Sequence, residues 1–285
     1  MGTHREPPAS QSPLPEPTTA AGRAGLAALL DHPEQALVAL DFDGTLAPIV
    51  PDPEQARAHP GAVAALSRLG PALGALAVIT GRPAETAVRY GGFAGVDALR
   101  RLVVLGAYGA ERWSAADGEV RLPPPHPGVA AVREALPGVV AASAAPDASI
   151  EDKGRALAVH TRRTADPQGA FEALREPLHT LAERHGLIVE PGRFVLELRP
   201  PGMDKGAALR SVVAETGVRT VVYAGDDLGD LAAFDAVAEL RAEGLAGLLL
   251  CSGSDEVTRL AEQADLVVDG PAGVVAFLDA LADRL

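Results

Sequence analysis

Two carboxylates follow an apolar run in the segment ALVALDFDGTLAPI, where Asp41 and Asp43 precede Gly44 and Thr45. Residues two apart in an extended chain point to the same side, so both acids can face one site. Asp41 is therefore a candidate nucleophile and metal ligand, and Asp43 a candidate general acid and then general base. The alternative is that the two acids only cap a helix after the strand, which is a common use of Asp.

A hydroxyl and an accessible amide follow a second apolar run, in ALAVITGRP. Thr80 supplies the hydroxyl, Gly81 supplies the amide, and Pro83 is a favourable first residue of a helix. Such a segment can hold a phosphate at a helix N-terminus. An ordinary turn between a strand and a helix is the alternative.

A third apolar run ends in several acids, in VVYAGDDLGDLAAF, which contains Asp226, Asp227 and Asp230. Like charges this close raise one another's pKa, so they are costly to hold together without a cation. Oxygen ligands from Asp41, Asp43 and Asp226 suit octahedral Mg²⁺. The spacing of an EF-hand loop is absent, which disfavours a calcium loop.

Lys205 begins a predicted helix in PGMDKGAAL. Such a lysine is usually solvated at the surface. A site that gathers carboxylates and a phosphate dianion, however, needs a cation besides the metal, and a lysine can supply it as a point charge.

The elements that position these residues follow from short apolar runs that alternate with helical patterns. Runs that end in Gly- or Asp-containing turns are typical of parallel strands buried on both faces. The predicted strands are Ala36–Leu40, Ala75–Ile79, Leu102–Leu105, Thr220–Ala224 and Asp265–Val268. The predicted helices are Gly61–Gly70, Pro83–Tyr90, Lys205–Thr216 and Asp230–Arg241. This alternation predicts an α/β fold with a doubly wound parallel sheet, in which ligands bind beyond the carboxyl ends of the strands.

The middle of the chain breaks the alternation after a proline cluster, and residues 116–198 are predicted to form an inserted α/β domain. Helices are expected near 129–142 and 168–185, together with an apolar run at 155–159. A hairpin is expected from strands Leu187–Glu190 and Phe194–Leu198, joined across Pro191, Gly192 and Arg193. Residues 1–24 are expected to be a disordered tail, and residues 25–115 and 199–285 to form the core domain.

Composition limits the classes of partner. The net charge of −13 and the absence of a dense Lys/Arg run disfavour binding to nucleic acid or to anionic membranes. No apolar run approaches the length of a membrane span. A single cysteine, Cys251, is consistent with a reducing compartment, and the cytoplasm is the expected location.

The four segments DFDGTLAPI, ITGRP, MDKGAAL and GDDLGDLAAF resemble, in order and spacing, the motifs of the haloacid dehalogenase superfamily. That resemblance implies a Rossmann-like core with an inserted cap and a Mg²⁺-dependent phosphatase. Asp41 is expected to be phosphorylated, and Asp43 to be the acid/base. Phosphate is expected to be held by Thr80 and Lys205. Four further residues are expected to bind substrate: Gly44, Thr45, Gly81 and Arg82. The expected metal site comprises the Asp41 carboxylate, the Asp43 backbone carbonyl and Asp226, with Asp227 and Asp230 in support.

Within the superfamily the chain resembles the trehalose-phosphatase family, through EDKGRALAVHTRR and GRFVLELRP in the expected cap. This resemblance implies hydrolysis of a small sugar phosphate, trehalose 6-phosphate, at the end of trehalose biosynthesis. The residues expected to contact the sugar are Glu151, Lys153, His160, Arg162, Glu197 and Arg199. The alternative for His160 and Arg162 is that they are solvated surface charges.

The sequence departs from the family pattern at Tyr108, where His is usual, and at Gly229 and Leu231, where Thr and Glu are common. None of these is one of the four catalytic positions, but they leave the exact sugar open. Sucrose phosphate or a glycosylated phosphoglycerate is an alternative substrate. A catalytically silent sugar-phosphate sensor and a phosphotransferase are further alternatives.

Overall fold

The structure, a computed structural model, describes residues 13–122, 124–192, 194–253 and 258–285. They divide into two compact units. The core unit contains the described residues up to Leu122 together with Asp204–Leu285, and the cap unit contains residues 124–203.

The described residues form twelve strands and nine helices. The strands are β1 (Ala36–Leu40), β2 (Ala75–Ile79), β3 (Leu102–Gly106), β4 (Glu111–Ser114), β5 (Val120–Arg121), β6 (Ser149–Asp152), β7 (Leu157–His160), β8 (Ile188–Gly192), β9 (Val195–Arg199), β10 (Thr220–Gly225), β11 (Ala246–Gly253) and β12 (Leu266–Asp269). The helices are α1 (Ala20–Asp31), α2 (Ala62–Leu69), α3 (Ala84–Gly91), α4 (Pro127–Ala141), α5 (Pro167–Arg184), α6 (Lys205–Thr216), α7 (Leu231–Ala242), α8 (Thr258–Gln263) and α9 (Gly270–Ala282). No helix among these residues is long and apolar enough to cross a membrane.

The core unit contains one eight-stranded sheet in the order β12-β11-β10-β1-β2-β3-β4-β5. The strands from β12 to β3 are parallel, whereas β4 and β5 continue the sheet as antiparallel neighbours. Every residue of β1 and β2 is buried, and so is every residue of β10. Burial on both faces explains why these strands appear in the sequence as continuous apolar runs. The predicted doubly wound α/β core is confirmed.

Helices cover both faces of this sheet. The apolar cluster on one face is supplied by side chains of α1, α2, α3 and α9. The cluster on the other face is supplied by α6, α7 and α8. The carboxyl ends of β1, β2 and β10 therefore lie between two helical layers, and the polar residues that follow these strands share one edge of the sheet.

The cap unit is a four-stranded antiparallel sheet in the order β6-β7-β9-β8, packed against α4 and α5. Alternate residues of β7 and β9, including Leu157, Val159, Leu196 and Leu198, face the helices in a buried cluster. The hairpin expected between β8 and β9 is present, and Arg193 of its turn lies outside the described residues. The cap unit is thus an α/β layer pair with one sheet face turned away from its helices.

The boundaries differ from those expected in three places. The core sheet extends through β4 and β5, so the core reaches Leu122 rather than residue 115. The second boundary lies at Asp204 rather than at residue 199. The expected disordered tail, residues 1–24, overlaps α1, which begins at Ala20 and is capped by the Thr19 side chain. Residues 1–12 of that tail lie outside the described residues.

Candidate active site

Asp41 lies directly after β1, the central strand, and its carboxylate contacts one cation. Its backbone N–H donates to the Ala224 carbonyl at 2.9 Å, which continues the parallel pairing with β10. Its Oδ1 lies 2.9 Å from Nζ of Lys205, and both side chains are about 5% exposed. Burial raises the pKa of Asp41 well above its ordinary value, against the opposing attraction of Lys205. A positive partner therefore holds this carboxylate in place in an otherwise unfavourable setting.

Lys205 is the first residue of α6, and Asp204 fixes the start of that helix by accepting from the Ala207 N–H at 2.8 Å. The ammonium group contacts Asp41 and also Oδ1 of Asp230, at 2.8 Å. Burial alone would lower the pKa of Lys205, but the negative charges of Asp41 and Asp230 outweigh it and raise the pKa. Lys205 is thus a permanently charged cation at the base of the site.

Asp230 is the most fully bonded acid of the site. Its Oδ1 also accepts from the Tyr223 hydroxyl at 2.6 Å, and its Oδ2 accepts from the backbone N–H groups of Asp226 and Asp227, at 3.0 and 3.2 Å. Because both oxygens are occupied, Asp230 shapes the loop after β10 rather than presenting a free ligand. Tyr223 was not predicted as a site residue, because in the sequence it is one more residue of an apolar strand.

Asp226 presents a buried oxygen toward the same place. Its Oδ1 has no hydrogen-bond partner among the residues that the structure describes. Burial, together with the charges of Asp230 and Asp227, raises its pKa from the ordinary 3.8 to about 7. Carboxylate oxygens of Asp41, Asp226 and Asp230 lie within 4.8 Å of one another. An orphaned buried carboxylate oxygen in a group of acids is the arrangement that a hard divalent cation relieves, so these residues fit the expected metal.

Gly44 allows Asp226 to sit where it does. A Cβ at Gly44 would lie 1.9 Å from Oδ2 of Asp226, and the φ of +73° is itself unfavourable for other residues. The Gly44 carbonyl accepts from the Ser252 hydroxyl at 2.6 Å. Ser252 was not predicted as a site residue because β11 was not recognised as a strand. The neighbouring Thr45 is buried, and its hydroxyl has no partner among the described residues.

The carboxylates of Asp43, expected at the metal through its backbone carbonyl, and of Asp227, expected to support the metal site, have protein partners. The Asp43 carboxylate accepts two hydrogen bonds from Arg82, with Nε–Oδ2 at 2.6 Å and Nη2–Oδ1 at 2.7 Å. Asp227 lines the pocket, but its Oδ1 accepts from the Gly229 N–H at 2.8 Å and caps the short turn that follows. Among the described residues, the carboxylates that cluster closely are those of Asp41, Asp226 and Asp230. Because the Asp230 oxygens are already bonded, Asp41 and Asp226 are the acids of this cluster that can bind a metal directly.

The segment after β2 lies beside this acidic group. The Thr80 hydroxyl is buried and accepts from the Arg82 N–H at 3.1 Å, which closes a tight turn before α3. The first N–H of α3, that of Ala84, donates to Glu111 of β4 at 2.7 Å. Gly81 packs against the ring of Tyr108. The predicted turn is thus a hydrogen-bonded loop, and its Thr80, Gly81 and Arg82 line the pocket.

These side chains surround one pocket of about 320 Å³ in the core unit. Its lining includes all four predicted catalytic residues and most of the other expected core residues: Asp41, Asp43, Thr80, Gly81, Arg82, Lys205, Asp226 and Asp227, with Ile49, Pro53, Tyr108 and Gly229. The pocket therefore combines a buried nucleophile candidate, a cation, a candidate acid/base and a metal-compatible oxygen.

In the cap unit, the predicted sugar-contacting strand residues share the sheet face opposite the helices. Glu151 and Glu197 both pair with Ala158, so they lie in one row across β6, β7 and β9. His160 and Arg199 lie two residues along from this row, and hence on the same face. The cap strand residues identified by the family resemblance therefore lie on one polar face of the cap sheet.

These cap residues are already organised in pairs. His160 Nε2 lies 2.7 Å from Glu151, Lys153 pairs with Glu197, and Arg199 pairs with Glu190 at 3.0 Å. Glu151, His160 and Arg162 line a pocket of about 410 Å³, whereas Lys153, Glu197 and Arg199 do not line it. The predicted group thus forms one pocket and two adjacent ion pairs.

Comparisons with known proteins support the family resemblance. The sequence model of the family described as trehalose-phosphatase matches residues 39–265. A trehalose-phosphate phosphatase of Mycolicibacterium paratuberculosis is 34% identical over 97% of this chain and 68% of its own length.

Solved structures agree on the fold. The trehalose-6-phosphate phosphatase of Aspergillus fumigatus superposes with a TM-score of 0.75 at 23% identity, over 95% of this chain and all of that one. A haloacid dehalogenase-like hydrolase from Bacteroides thetaiotaomicron gives 0.60 at 17% identity, over 86% and 98%. From the family match and the extent of the mycobacterial similarity, this chain belongs to the trehalose-phosphatase family.

Proposed function

We propose that this protein hydrolyses trehalose 6-phosphate to trehalose and inorganic phosphate, through a phosphorylated Asp41. The observation that carries the proposal is the buried contact of 2.9 Å between Asp41 and Lys205, in a chain that belongs to the trehalose-phosphatase family. A buried carboxylate beside a fixed cation has a use in phosphoryl transfer, where the cation neutralises the incoming phosphate. A protein that only binds a sugar phosphate has no need of such a nucleophile.

In this mechanism Lys205 binds the phosphate and holds Asp41, whose oxygen attacks phosphorus in line. The Thr80 hydroxyl and the Gly81 amide hold the phosphate oxygens at the border of the site. Asp43 gives a proton to the departing sugar oxygen and later takes one from the water that hydrolyses the aspartyl phosphate. Asp43 must release one of its two hydrogen bonds with Arg82 to carry a proton, and the other bond can keep the carboxyl group oriented.

Asp41, the Asp43 backbone carbonyl and Asp226 would hold Mg²⁺, with Asp227 and Asp230 in support. Bound there, Mg²⁺ would neutralise charge on the phosphate and on the acids themselves. The orphaned oxygen of Asp226 supports this assignment.

The sugar is assigned to the polar face of the cap sheet. Glu151, Lys153, His160, Arg162, Glu197 and Arg199 carry charges that can bond several hydroxyl groups at once. A reducing location such as the cytoplasm fits the single buried Cys251.

The test is phosphate release from trehalose 6-phosphate, glucose 6-phosphate and sucrose 6-phosphate, each with Mg²⁺ and with EDTA. We expect preferential, EDTA-sensitive release from trehalose 6-phosphate. Asp41→Asn is the matched control, because it keeps the size of the side chain and removes the nucleophile. A metal-dependent preference for another ester would show that the substrate is a different sugar phosphate. No release from any ester would favour a silent sugar-phosphate sensor.

A further inference from the structure

The loop between β3 and β4 has an unfavourable backbone beside the active-site pocket. Three consecutive residues, Ala107, Tyr108 and Gly109, have φ values of 46°, 57° and 93°. Left-handed conformations are costly for a bulky residue such as Tyr, and strain of this kind is typical of functional sites. A role in the pocket would explain why Tyr108 is held in this conformation.

The loop is fixed on both sides by the residues that border the site. The Ala107 N–H donates to the Arg82 carbonyl at 2.8 Å, and the Tyr108 N–H donates to the Thr80 carbonyl at 3.0 Å. On the other side, a Cβ at Gly109 would lie 2.9 Å from Cβ of Ala208 in α6. The backbone of Tyr108 is thus set by the segments that also carry Thr80 and Lys205.

This backbone directs the Tyr108 ring along the wall of the pocket. A Cβ at Gly81 would lie 2.9 Å from both Cζ and Oη of Tyr108, so the ring covers Gly81 closely. Tyr108 lines the pocket and is 37% exposed, whereas Asp41 and Lys205 are buried at its base. A phosphate attacked by Asp41 must direct its ester group from the base toward the exposed end, past this ring.

From these contacts we infer that Tyr108 is a specificity-determining residue that packs against the sugar ring attached to the phosphate. The inference rests on the proposed function and assigns it a further contact in the core unit. The pocket volume of about 320 Å³ is at the small end of the range for ligand sites. The phosphate would occupy the buried end beside Asp41 and Lys205, and the sugar ring attached to it would lie at the exposed end beside Tyr108. An aromatic side chain offers such a ring a rigid apolar surface with a polar tip.

Tyr108→Phe and Tyr108→Asn form a matched pair of variants. Phe keeps the ring, whereas Asn removes it but tolerates the left-handed backbone, so the loop keeps its conformation. The substrates are trehalose 6-phosphate and acetyl phosphate, which has no ring, and orthovanadate inhibition reports on phosphate binding alone. Thermal unfolding checks that both variants are folded.

We expect Tyr108→Asn to lower kcat/KM for trehalose 6-phosphate by about tenfold, mainly through KM, while Tyr108→Phe stays close to the parent protein. Acetyl phosphate turnover and orthovanadate inhibition should be unchanged in both. An equal loss with acetyl phosphate and weaker orthovanadate inhibition would overturn the inference, because Tyr108 would then only support the phosphate loop. No change with either substrate would also overturn it.

Gly81→Ala supplies an independent test through the same contact. The added methyl group should displace the Tyr108 ring, so it should lower kcat/KM for trehalose 6-phosphate less in the Tyr108→Asn background, where the ring is absent, than in the parent protein. Additive losses would contradict the contact. If the parent protein prefers another sugar phosphate, the proposed substrate fails while the same comparison, made with that sugar, still decides the role of Tyr108.

Discussion

Arg82 holds both carboxylate oxygens of Asp43, at 2.6 and 2.7 Å, in a two-point contact between the segments after β2 and β1. The guanidinium also lies 5.4 Å from the ring centre of Tyr90 and 5.9 Å from that of Phe42. The Asp43 hydrogen bond is the largest influence on Arg82 and raises its pKa. Arg82, expected from the sequence to bind substrate, is therefore placed to set the orientation of the acid/base as well.

Arg82→Ala should lower kcat for trehalose 6-phosphate by about tenfold to a hundredfold, since positioned proton transfer contributes on that scale or more. Arg82→Lys should recover only part, because lysine keeps the charge but not the two-point geometry. With p-nitrophenyl phosphate, whose leaving group needs no proton, rapid mixing should show a burst of nitrophenol followed by slow turnover. Loss of the burst itself would contradict this role.

Gly44→Ala should disturb Asp226 through one methyl group. The new Cβ would clash with the Asp226 carboxylate, so we expect destabilisation of about 1–3 kcal/mol and weaker Mg²⁺ binding, measured by chemical unfolding and calorimetric titration. Gly118→Ala is the matched control, because Gly118 has the same φ of +73° with nothing within 4 Å of the added atom. Equal effects on Mg²⁺ binding in both variants would rule out the specific contact.

The raised pKa of Asp226 predicts how Mg²⁺ stabilises the protein. The folded state without metal binds this proton more tightly than the unfolded state does, so the contribution of Asp226 to stability is full below pH 3.8 and is lost as pH rises to about 7. Mg²⁺ binds the ionised form. The rise in Tm on adding Mg²⁺ should therefore be larger near pH 8 than near pH 5.

Asp226→Asn tests whether the ionised Asp226 carboxylate destabilises the metal-free protein and binds Mg²⁺. It should raise the Tm of the metal-free protein near pH 8, because it removes a buried charge that repels Asp227 and Asp230, and should abolish the Mg²⁺-induced shift. Metal-free stability that falls on substitution, with the Mg²⁺ shift retained, would show that Asp226 is a structural acid and not a ligand.

Glu151→Gln on the polar cap face should raise KM for trehalose 6-phosphate by about tenfold and leave orthovanadate inhibition unchanged. The charge that pairs with His160 is then lost while the size of the side chain is kept. Glu172→Gln is the control, since Glu172 is an exposed acid on α5 that pairs with Arg175. Equal KM values in the two variants would show that Glu151 does not contact the sugar.

Much of the core followed from the sequence because buried parallel strands leave continuous apolar runs. The predicted β1 and β2, and the helix that begins at Lys205, match the structure residue for residue. β4 and β6 were not predicted, because ERWS and SIED are short and polar. ERWS is mostly part-buried and SIED is fully exposed, so neither shows the apolar run of a buried strand. β11 has the apolar sequence of a buried strand, but it was not predicted because no functional motif follows it.

The site residues that lie at the carboxyl ends of strands were predictable from the sequence. The carboxyl ends of β1, β2 and β10 bring Asp41, Thr80 and Asp226 around one pocket, as parallel neighbours must. The Asp43–Arg82 contact and the orientation of Tyr108 were not predictable, because they depend on side-chain geometry and on a left-handed backbone that no local pattern announces.

The most direct test of the mechanism is to trap the phosphorylated enzyme. Rapid acid quench of the protein during turnover of trehalose 6-phosphate with Mg²⁺, followed by peptide mass spectrometry, should show the mass of one phosphoryl group on the peptide that contains Asp41. With p-nitrophenyl phosphate, whose leaving group needs no proton, Asp43→Asn should increase the trapped fraction, since water attack is then slow, and Asp41→Asn should show none. Phosphate release by a folded Asp41→Asn variant at the parent rate, without any phosphorylated peptide, would contradict the account.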